Sequence, residues 1–498
     1  MDVEQLKEDV RQGRIKPERL VDLLAQLTGE LQRAKERIGE LEKKLGGSAT
    51  VKLDQPFSVR AEEQRQAGRG KKPRQGKKKR RRGRTRTAEK LAGAARIEKV
   101  FPDDVPLEDC WLSHTRPVWR LENNQAVLVA YEVYRSRGNR YGKIPGVLGR
   151  SEFGIEIVLA IAYQVYVVGL SLDKVCLLLN FFQGLQLRKS QIDALLNRLA
   201  RHWEGEFETL CTLLANSAVV HADETGWSLN SVWAFLSEKV RVLFFGVHKD
   251  AETLRQILDP MTFSGIVISD DAPVYAHFTQ SQKCWAHLLR KAIKLTLLEP
   301  ANETYRQFAD RLLEIYRAAC RLKADRRYGD EGRAEKVGDL DDEILELCCD
   351  IGVTEGSPSE GPENDYRLLC NELMRLMLNQ QLFVFVTAAA VESPGGEPMP
   401  VTGTNNEAER TLRSAAEARK TGRTSKTSRG ARRRTVIVSV LESLRRQLAT
   451  FTLSTVIAEV RRWSDRGRSC FADLLRRLQL PPPSDSLLDA LLPAPRRE

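Results

Sequence analysis

The chain lacks a long apolar run, since no stretch of its 498 residues approaches the ~20 consecutive apolar residues that cross a bilayer. We therefore predict no membrane span. The N-terminus also lacks the basic region and apolar core of a signal peptide, so we expect a cytoplasmic protein. The composition, 42% hydrophobic and 29% charged, is typical of a globular chain. At this length we expect several domains of about 100–200 residues each.

Cysteine pairs at a repeated spacing are missing as well. Nine cysteines and six histidines are scattered without the repeated spacing that four zinc ligands require. We therefore predict reduced, mostly buried thiols and no zinc finger. The chain has no Gly-x-Ser-x-Gly motif, so no covalent serine chemistry is indicated.

Basic charge is concentrated in one stretch. Residues 65–90 hold fourteen lysines and arginines against one acid, for a net charge of +13, whereas the whole chain carries +12. Six of them are consecutive: Lys77, Lys78, Lys79, Arg80, Arg81 and Arg82. Because residues 48–98 also have almost no apolar content after Phe57, we predict a disordered basic arm that binds DNA phosphates. A solubilising tail is the alternative.

Before the arm, apolar residues recur in alternating steps of four and three. They are Leu20, Leu24, Leu27, Leu31, Ala34, Ile38, Leu41 and Leu45. This is the repeat of a coiled-coil seam, so we predict a coiled coil within residues 1–47 and a homo-oligomer. A helix that packs on its own domain is the alternative interpretation.

The middle of the chain changes from helix-like to strand-like patterns. We predict that 99–216 is mainly helical and either contacts DNA or packs in front of a core. The next apolar runs predict three strands, a helix, a strand and a long helix, at 218–222, 232–236, 240–247, 251–258, 266–268 and 282–297. This order is typical of a ribonuclease-H-like fold, an α/β core with a mixed sheet flanked by helices. The following segment is mostly helical, with one loop at 352–363, and resembles an insertion.

Acidic residues follow two of the predicted strands. Asp223 comes just after the first strand, and Asp270 and Asp271 come just after the fourth. A sheet holds the acids at its strand ends rigidly, and carboxylate oxygens are the ligands that magnesium prefers. These positions therefore predict a metal site, with an ordinary turn cap as the alternative for either acid.

A third acid lies in the sequence Thr-Asn-Asn-Glu-Ala-Glu-Arg at 404–410. Asn405 or Asn406 is expected to cap a helix that runs to about residue 414, with Glu409 paired to Arg413. An ordinary solvent-facing helix start is the alternative.

Four motifs in this order carry a family resemblance. They are His221-Ala222-Asp223-Glu224-Thr225, Asp270 with Tyr275, Cys284-Trp285-Ala286-His287 with Arg290-Lys291, and Thr404-Asn405-Asn406 with Glu409-Arg410. Together they resemble the insertion-sequence-sixty-six family of bacterial transposases over residues 150–450. The heptads and the basic linker are similar to the front end of that family.

The resemblance implies a DDE triad of catalytic, metal-binding carboxylates at Asp223, Asp270 and Glu409. Asp270 is preferred to Asp271 because the family's aspartate precedes a tyrosine by five positions, and Glu407 is the runner-up for the third acid. The implied cofactor is a pair of Mg²⁺ ions, or Mn²⁺ in their place.

The reaction that the resemblance implies is metal-dependent transesterification of DNA. The ends of an insertion sequence are cut, and the freed 3′-hydroxyl is joined to target DNA. Double-stranded DNA, both terminal repeats and target, is then the main partner, with small accessory proteins of the same element as further candidates. A catalytically silent DNA-binding scaffold and a nuclease without joining activity are the alternatives.

Further basic residues lie around the third acid and on the long helix. Besides the arm, we predict DNA contacts for His287, Arg290, Lys291, Arg410, Arg413, Arg419, Lys420 and Arg423. The basic run continues through Arg432, Arg433 and Arg434, and a solvated helix face is the alternative. Trp285 is expected in the core.

The predicted organisation has seven segments. They are a coiled coil at 1–47, a basic arm at 48–98, a mainly helical region at 99–216, the first part of the catalytic core at 217–300, a helical insertion at 301–395, the last part of the core at 396–450 and a helical tail at 451–498.

Overall fold

The computed structural model describes residues 64, 87–349, 351, 360–393, 395–483 and 486–493. Three predictions fall outside these residues. They are the coiled coil within 1–47, most of the basic arm with its run from Lys77 to Arg82, and most of the loop at 352–363. All described residues belong to one unit of the chain, Pro56–Glu498.

The continuous description begins with a short helix and a three-stranded sheet. Helix α1 is Thr87–Ala92, and strands β1, β2 and β3 are Arg96–Val100, Cys110–Glu122 and Gln125–Ser136. β3 is central, parallel to β1 and antiparallel to β2. The turn between β2 and β3 uses two asparagines with positive φ, Asn123 and Asn124, which suits a two-residue hairpin.

This sheet corrects two predictions. The segment 99–216 was expected to be mainly helical, and the arm was expected to be disordered as far as residue 98. The centre of β3, 128–131, is buried at every position, so its apolar residues do not alternate with polar ones. A short continuous apolar run of this kind does not distinguish a strand from a helix.

Four helices follow the first sheet. They are α2 Ile155–Tyr166, α3 Leu172–Gln183, α4 Lys189–His202 and α5 Glu204–Ala215. The chain breaks between α2 and α3 at Gly169, which has a φ of +77°, and Ser171 then caps α3 by accepting a hydrogen bond from the amide of Lys174. From residue 155 onward the prediction of helices is correct.

A five-stranded mixed sheet lies at the centre of the described chain. Its elements are β4 Val219–Gly226, β5 Ser231–Leu236, β6 Arg241–Val247, helix α6 Ala251–Ile257, β7 Ile266–Ser269 and β8 Ser281–Lys283. The strand order is β6-β5-β4-β7-β8, with β5 antiparallel to β4 and β6, and β7 parallel to β4 and β8. β5 is buried at all six positions, which fits a sheet covered on both faces.

Helices cover both faces of this sheet. Those after β8 are α7 Trp285–Leu298, α8 Glu303–Ala324, α9 Asp330–Cys348, α10 Pro362–Leu378, α11 Val384–Thr387, α12 Asn406–Lys420, α13 Ser428–Gln447, α14 Leu453–Arg466, α15 Cys470–Arg477 and α16 Leu487–Leu491. A small hairpin, β9 Ala390–Glu392 with β10 Pro398–Pro400, lies between α11 and α12. Among the described helices, none combines the length and the apolar character needed to span a bilayer.

Two large apolar cores are separated by the sheet. One joins α2–α5 and α13–α16 to β4, β5 and β6, and the other joins α7–α11 to β7. Trp285 is fully buried in the second core, as predicted. The helices of the predicted insertion therefore bury their apolar faces against one side of the sheet.

Helix α13 completes the edge of the sheet at β6. The hydroxyl groups of Thr435, Ser439 and Ser443 accept hydrogen bonds from alternate amides of β6, at 245, 243 and 241, over 2.9–3.0 Å. Four residues of helix rise about 6 Å and two residues of strand about 6.6 Å, so the two spacings match over this length. The stripe of hydroxyls thus satisfies donors that an edge strand would otherwise expose.

Candidate active site

Asp223 lies on β4, and Asp270 directly follows the last residue of the neighbouring strand β7. β4 and β7 are parallel, and His221 pairs with Ile268, so each acid stands two residues beyond the same paired position. Neighbouring strands are about 4.8 Å apart, and residues two apart face the same side of a sheet. Asp223 lies inside β4 rather than just after it, because β4 continues to pair with β5 as far as Gly226.

Each acid also makes one local hydrogen bond. An oxygen of Asp223 accepts the amide hydrogen of Glu224 at 2.9 Å, and an oxygen of Asp270 accepts that of Ala272 at 3.1 Å. These are the turn-type bonds that the alternative interpretation expected. They engage only one oxygen of each carboxylate, so the other oxygen can accept a further ligand.

Negative charge accumulates around Asp223. Burial, together with nearby negative charges, raises the pKa of Asp223 from an ordinary 3.8 to about 7. Those charges belong, in decreasing order of effect, to Glu224, Asp270 and Glu409. The three acids predicted from the sequence therefore interact electrostatically, and a cation at this position would relieve the repulsion.

Asn405 links the third acid to the strand that carries the first. It is fully buried, and its side chain donates to the carbonyl of Ala222 at 2.7 Å and bonds the ring of His221 at 3.1 Å. The backbone amide of Asn405 donates to the sulfur of Cys284 at 3.1 Å, and Cys284 immediately precedes α7. Asn405 is thus the N-cap residue of α12, as predicted, but its side chain makes no capping hydrogen bond and instead fixes the start of that helix against β4.

Glu409 lies in the first turn of α12, where two side chains of α7 hold it. Arg290 donates to its carboxylate, and the Nε2 atom of His287 lies 3.5 Å from the same oxygen. The predicted pair with Arg413 is not formed, because Glu409 turns toward α7 instead. His287 is therefore near the acids, as expected.

The donor atoms indicate which metal the site suits. Cys284, His287 and Glu409 offer ligand atoms within 4.8 Å of one another, a set that would favour a softer transition metal. Burial raises the pKa of the Cys284 thiol, however, and this outweighs the hydrogen bond that the backbone amide of Asn405 donates to its sulfur, so the thiolate is disfavoured. Asp223 and Asp270 are not part of that group, but their carboxylates and that of Glu409 offer oxygen atoms, the ligand type that Mg²⁺ prefers.

Comparison with known families identifies the family of the chain. A family model described as Transposase IS66 family matches residues 150–433, more than half of the 498 residues. The chain belongs to the IS66 family of transposases. This confirms the resemblance drawn from the four motifs. A comparison with individual curated proteins gives no match.

The runner-up acids of this IS66-family chain are engaged elsewhere. Asp271 is paired with Arg375 of α10, and Glu407 is 2.7 Å from Arg241 of β6. Each is thus bound to an arginine outside the cluster. Neither appears among the charges that raise the pKa of Asp223.

A second layer of side chains lies around the two aspartates, and most of it was not predicted from the sequence. The hydroxyl of Tyr275 donates to Glu224 at 2.5 Å, and Lys249 lies 2.7 Å from the other oxygen of Glu224. Lys283 is buried and donates to the backbone carbonyl of Asp270 at 3.3 Å. The spacing of Tyr275 from Asp270 was the only sequence signal for this layer.

The basic residues predicted to bind DNA divide into two groups. Arg410, Arg413, Lys420, Arg419 and Arg423 are exposed on or just after α12. Arg419 and Arg423 also donate to the carbonyls of Gly226 and Gly169. On α7, Arg290 binds Glu409, and Lys291 is 2.5 Å from Glu372.

The run from Arg432 to Arg434 is structural, which corrects its place in the predicted DNA surface. Arg432 donates to the carbonyls of Leu488 and Leu492, and Arg433 donates to the hydroxyl of Tyr166. The guanidinium of Arg434 lies over the rings of Trp227, Phe245 and Tyr166, at 5.0–5.6 Å. These arginines point inward because α13 is packed between α4, α5 and β6, which the charge pattern alone does not reveal.

Proposed function

We propose that this chain is a DDE transposase whose catalytic acids are Asp223, Asp270 and Glu409. The observation that carries the proposal is the register of β4 and β7, in which Asp223 and Asp270 each come two residues after the paired residues His221 and Ile268. The influence of Glu409 on the pKa of Asp223 supports a third acid at the same place. Such a convergence is what a metal-dependent phosphodiester site needs.

The core is proposed to be ribonuclease-H-like. Support comes from an antiparallel β4-β5-β6 unit joined to parallel β7 and β8, followed by helices on both faces. We propose that 217–300 and 396–450 form this core and that 301–395 is inserted into it. The packing of α12 against β4 and β5 supports the return of the chain after the insertion.

The site fits divalent cations, because the half-buried carboxylate of Asp223 is close enough to Asp270 and Glu409 for their negative charges to raise its pKa. When bound, two Mg²⁺ ions would supply the positive charge that activates the attacking hydroxyl and stabilises the leaving oxygen of a phosphodiester. Asp223 and Asp270 would hold the ions from rigid strands. Glu409 would hold them from a helix that Asn405 fixes to the same sheet.

Glu409 needs a change of partner to serve in this way. Arg290 is half exposed and binds Glu409 in the described structure. A DNA phosphate is a strong alternative acceptor for a guanidinium, so DNA would compete for Arg290 and free the carboxylate. His287 would remain beside Glu409 and orient it.

Strand transfer tests the proposal directly. A labelled duplex with a recessed 3′-hydroxyl, taken from the ends of the element that encodes the chain, is incubated with supercoiled plasmid and Mg²⁺ or Mn²⁺. Joined product is expected from the wild type and is expected to fall to background in Asp223→Asn, Asp270→Asn and Glu409→Gln. The matched controls are Asp271→Asn and Glu407→Gln, which remove the same charge next to the triad and should keep joining.

Each outcome is informative. Joining that survives in Asp223→Asn would remove this residue from the triad. If Asp271→Asn lost joining while Asp270→Asn kept it, Asp271 would replace Asp270 in the triad, and the same comparison applies to Glu407 and Glu409. Metal-dependent nicking without joined product would indicate a nuclease. DNA binding with neither product would indicate a silent scaffold.

Assembly is the second part of the proposal. The heptad repeat at 20–45 favours a homo-oligomer that brings two element ends together. Sedimentation of the full chain is expected to give a larger species than a chain lacking residues 1–47. If both chains form particles with the same number of subunits, oligomerisation would be assigned to another surface.

A further inference from the structure

Three arginines gather around one turn at 148–151, outside the candidate active site. The side chain of Arg116, on β2, donates to the carbonyls of Ser151 at 2.8 Å and Gly149 at 3.4 Å. These carbonyls flank Arg150, which is exposed. The guanidinium of Arg116 is therefore held next to a second arginine.

The third arginine comes from α4. Arg198 donates to the carbonyl of Leu148, the first residue of the same turn, at 3.5 Å. We refer to Arg116, Arg150 and Arg198 as the arginine turn. β2 and α4 thus each direct one arginine side chain to this turn, which itself contains a third arginine.

The arginine turn is only partly balanced by acidic side chains, since the negative charge of Glu152 acts on Arg116. Among the residues that the structure describes, none of its three guanidiniums forms an ion pair with a carboxylate. Glu152, which follows the turn, is bound to Lys90 at 2.5 Å. Burial and the positive charges of Arg150 and Arg198 lower the pKa of Arg116 and together outweigh the opposing charge of Glu152. The three arginines are held close together although their positive charges repel one another. Such a group suits an anionic ligand with several oxygens, such as phosphate.

The basic arm joins the folded chain beside this turn. Lys90 belongs to α1, which packs on β2, and its contact with Glu152 ties α1 to the end of the turn. Arg84 and Arg86 precede the first residue of α1 by only three and one positions. In the sequence, the basic stretch at 65–86 therefore leads directly into the helix that contacts the arginine turn.

Contacts lead from the arginine turn toward the acids. Asn197, the neighbour of Arg198 in α4, accepts a hydrogen bond at 3.2 Å from Arg429 at the start of α13. The segment before Arg429 connects back to α12, which carries Glu409 in its first turn. Near the end of α12, Arg419 donates to the carbonyl of Gly226 at the end of β4, and Gly226 comes three residues after Asp223.

We propose that the arginine turn binds the phosphates of duplex DNA between the basic arm and the catalytic acids. The inference rests on the proposed function, because it takes transposon DNA as the ligand. The surface positions the duplex and has no part in the chemistry, since phosphate contacts fix the register and orientation of a protein on DNA.

Binding of a labelled 30-base-pair duplex by the full-length chain tests this surface. All variants carry Asp223→Asn and the assay contains EDTA, so that neither cleavage nor metal binding contributes. Arg150→Glu changes an exposed side chain without a described contact and is expected to weaken binding about tenfold and to reduce the salt slope by about one phosphate contact. Arg150→Lys keeps the charge and should recover most of the affinity.

The matched control is Arg317→Glu, which makes the same charge change at an exposed position of α8, in the predicted insertion. Equal weakening by Arg150→Glu and Arg317→Glu would mean a general effect of net charge and would overturn the proposal. An unchanged salt slope in Arg150→Glu would overturn it too. If duplex RNA bound more strongly than duplex DNA and its binding were weakened as much by Arg150→Glu, the surface would be assigned to RNA. That result would also overturn the proposal.

Failure of this inference is distinguishable from failure of the proposed function. If Arg150→Glu binds DNA as the wild type does while strand transfer is present, only the arginine turn is refuted. If binding depends on Arg150 but no joined product forms in the wild type, the surface stands and the transposase chemistry is refuted.

Discussion

Replacing Asp223 by Asn is expected to make the chain more stable while it removes activity. The carboxylate of Asp223 is charged at neutral pH only against burial and the negative charges of Glu224, Asp270 and Glu409, which raise its pKa from 3.8 to about 7. Asparagine has the same shape, and its side-chain oxygen can still accept the amide hydrogen of Glu224. The substitution therefore removes the repulsion and keeps the local hydrogen bond.

The size of the effect follows from the pKa. One pKa unit corresponds to about 1.4 kcal/mol, so the shift sets an upper limit of about 4 kcal/mol on the cost of the charged form in the folded chain. Because the carboxylate keeps contact with solvent, which screens the charges around it, we expect a gain of about 2 kcal/mol for Asp223→Asn without metal. A raised pKa in an acid lowers stability as pH rises from the unfolded value near 4 to the folded value near 7. The gain should therefore be full above pH 7 and much smaller at pH 5.

Chemical denaturation at pH 5 and pH 8, each with EDTA or with Mg²⁺, measures this prediction. In EDTA the variant is expected to unfold at the higher denaturant concentration, with the larger difference at pH 8. Mg²⁺ should stabilise the wild type, in which all three acids can bind it, more than the variant. A variant that is less stable than the wild type at pH 8 in EDTA would refute the reasoning, and so would equal stabilisation of both chains by Mg²⁺.

Three further substitutions test the supports around the site. Ser439→Ala leaves the amide of residue 243 without its acceptor and should lower the free energy of unfolding by about 1–3 kcal/mol, measured by denaturation. Asn405→Ala releases α12 from β4, so strand transfer should fall far more than DNA binding, as compared in joining and binding assays. Tyr275→Phe removes the hydrogen bond to buried Glu224 and should cost about 1–3 kcal/mol in denaturation, with slower joining.

Each of these substitutions has a matched control at an exposed position. Ser414→Ala, Asn406→Ala and Tyr141→Phe make the same chemical changes and should leave stability and joining close to those of the wild type. If Asn406→Ala impaired joining as much as Asn405→Ala, the link between α12 and β4 would not explain the loss. Stabilities of Ser439→Ala and Tyr275→Phe equal to the wild type would show that neighbouring groups or water replace the lost bonds.

Sequence patterns predicted the central strands well because the composition of each apolar run and the turn-forming residues at its ends both indicated a strand. The runs near 232–236 and 240–247 are apolar, rich in β-branched and aromatic residues, and bounded by turn-forming residues, and they form β5 and β6. The first three-stranded sheet was missed because its central strand is buried without alternation. The hydrogen bonds of Asn405 were also missed, since an asparagine before a helix ordinarily indicates a cap.

The sequence by itself determined the family, the order of strands and helices in the centre of the chain and the acids worth testing, because motif spacing and apolar periodicity are local properties. Only the tertiary structure decided which basic residues are exposed, how Glu409 is held by α7 and how Asp223 and Asp270 come into register. These depend on contacts between residues far apart in the chain: 47 positions separate Asp223 from Asp270, and α12 follows much later. Arg434, buried over three aromatic rings, and Arg150, exposed on its turn, have the same side chain, and only their packing distinguishes them.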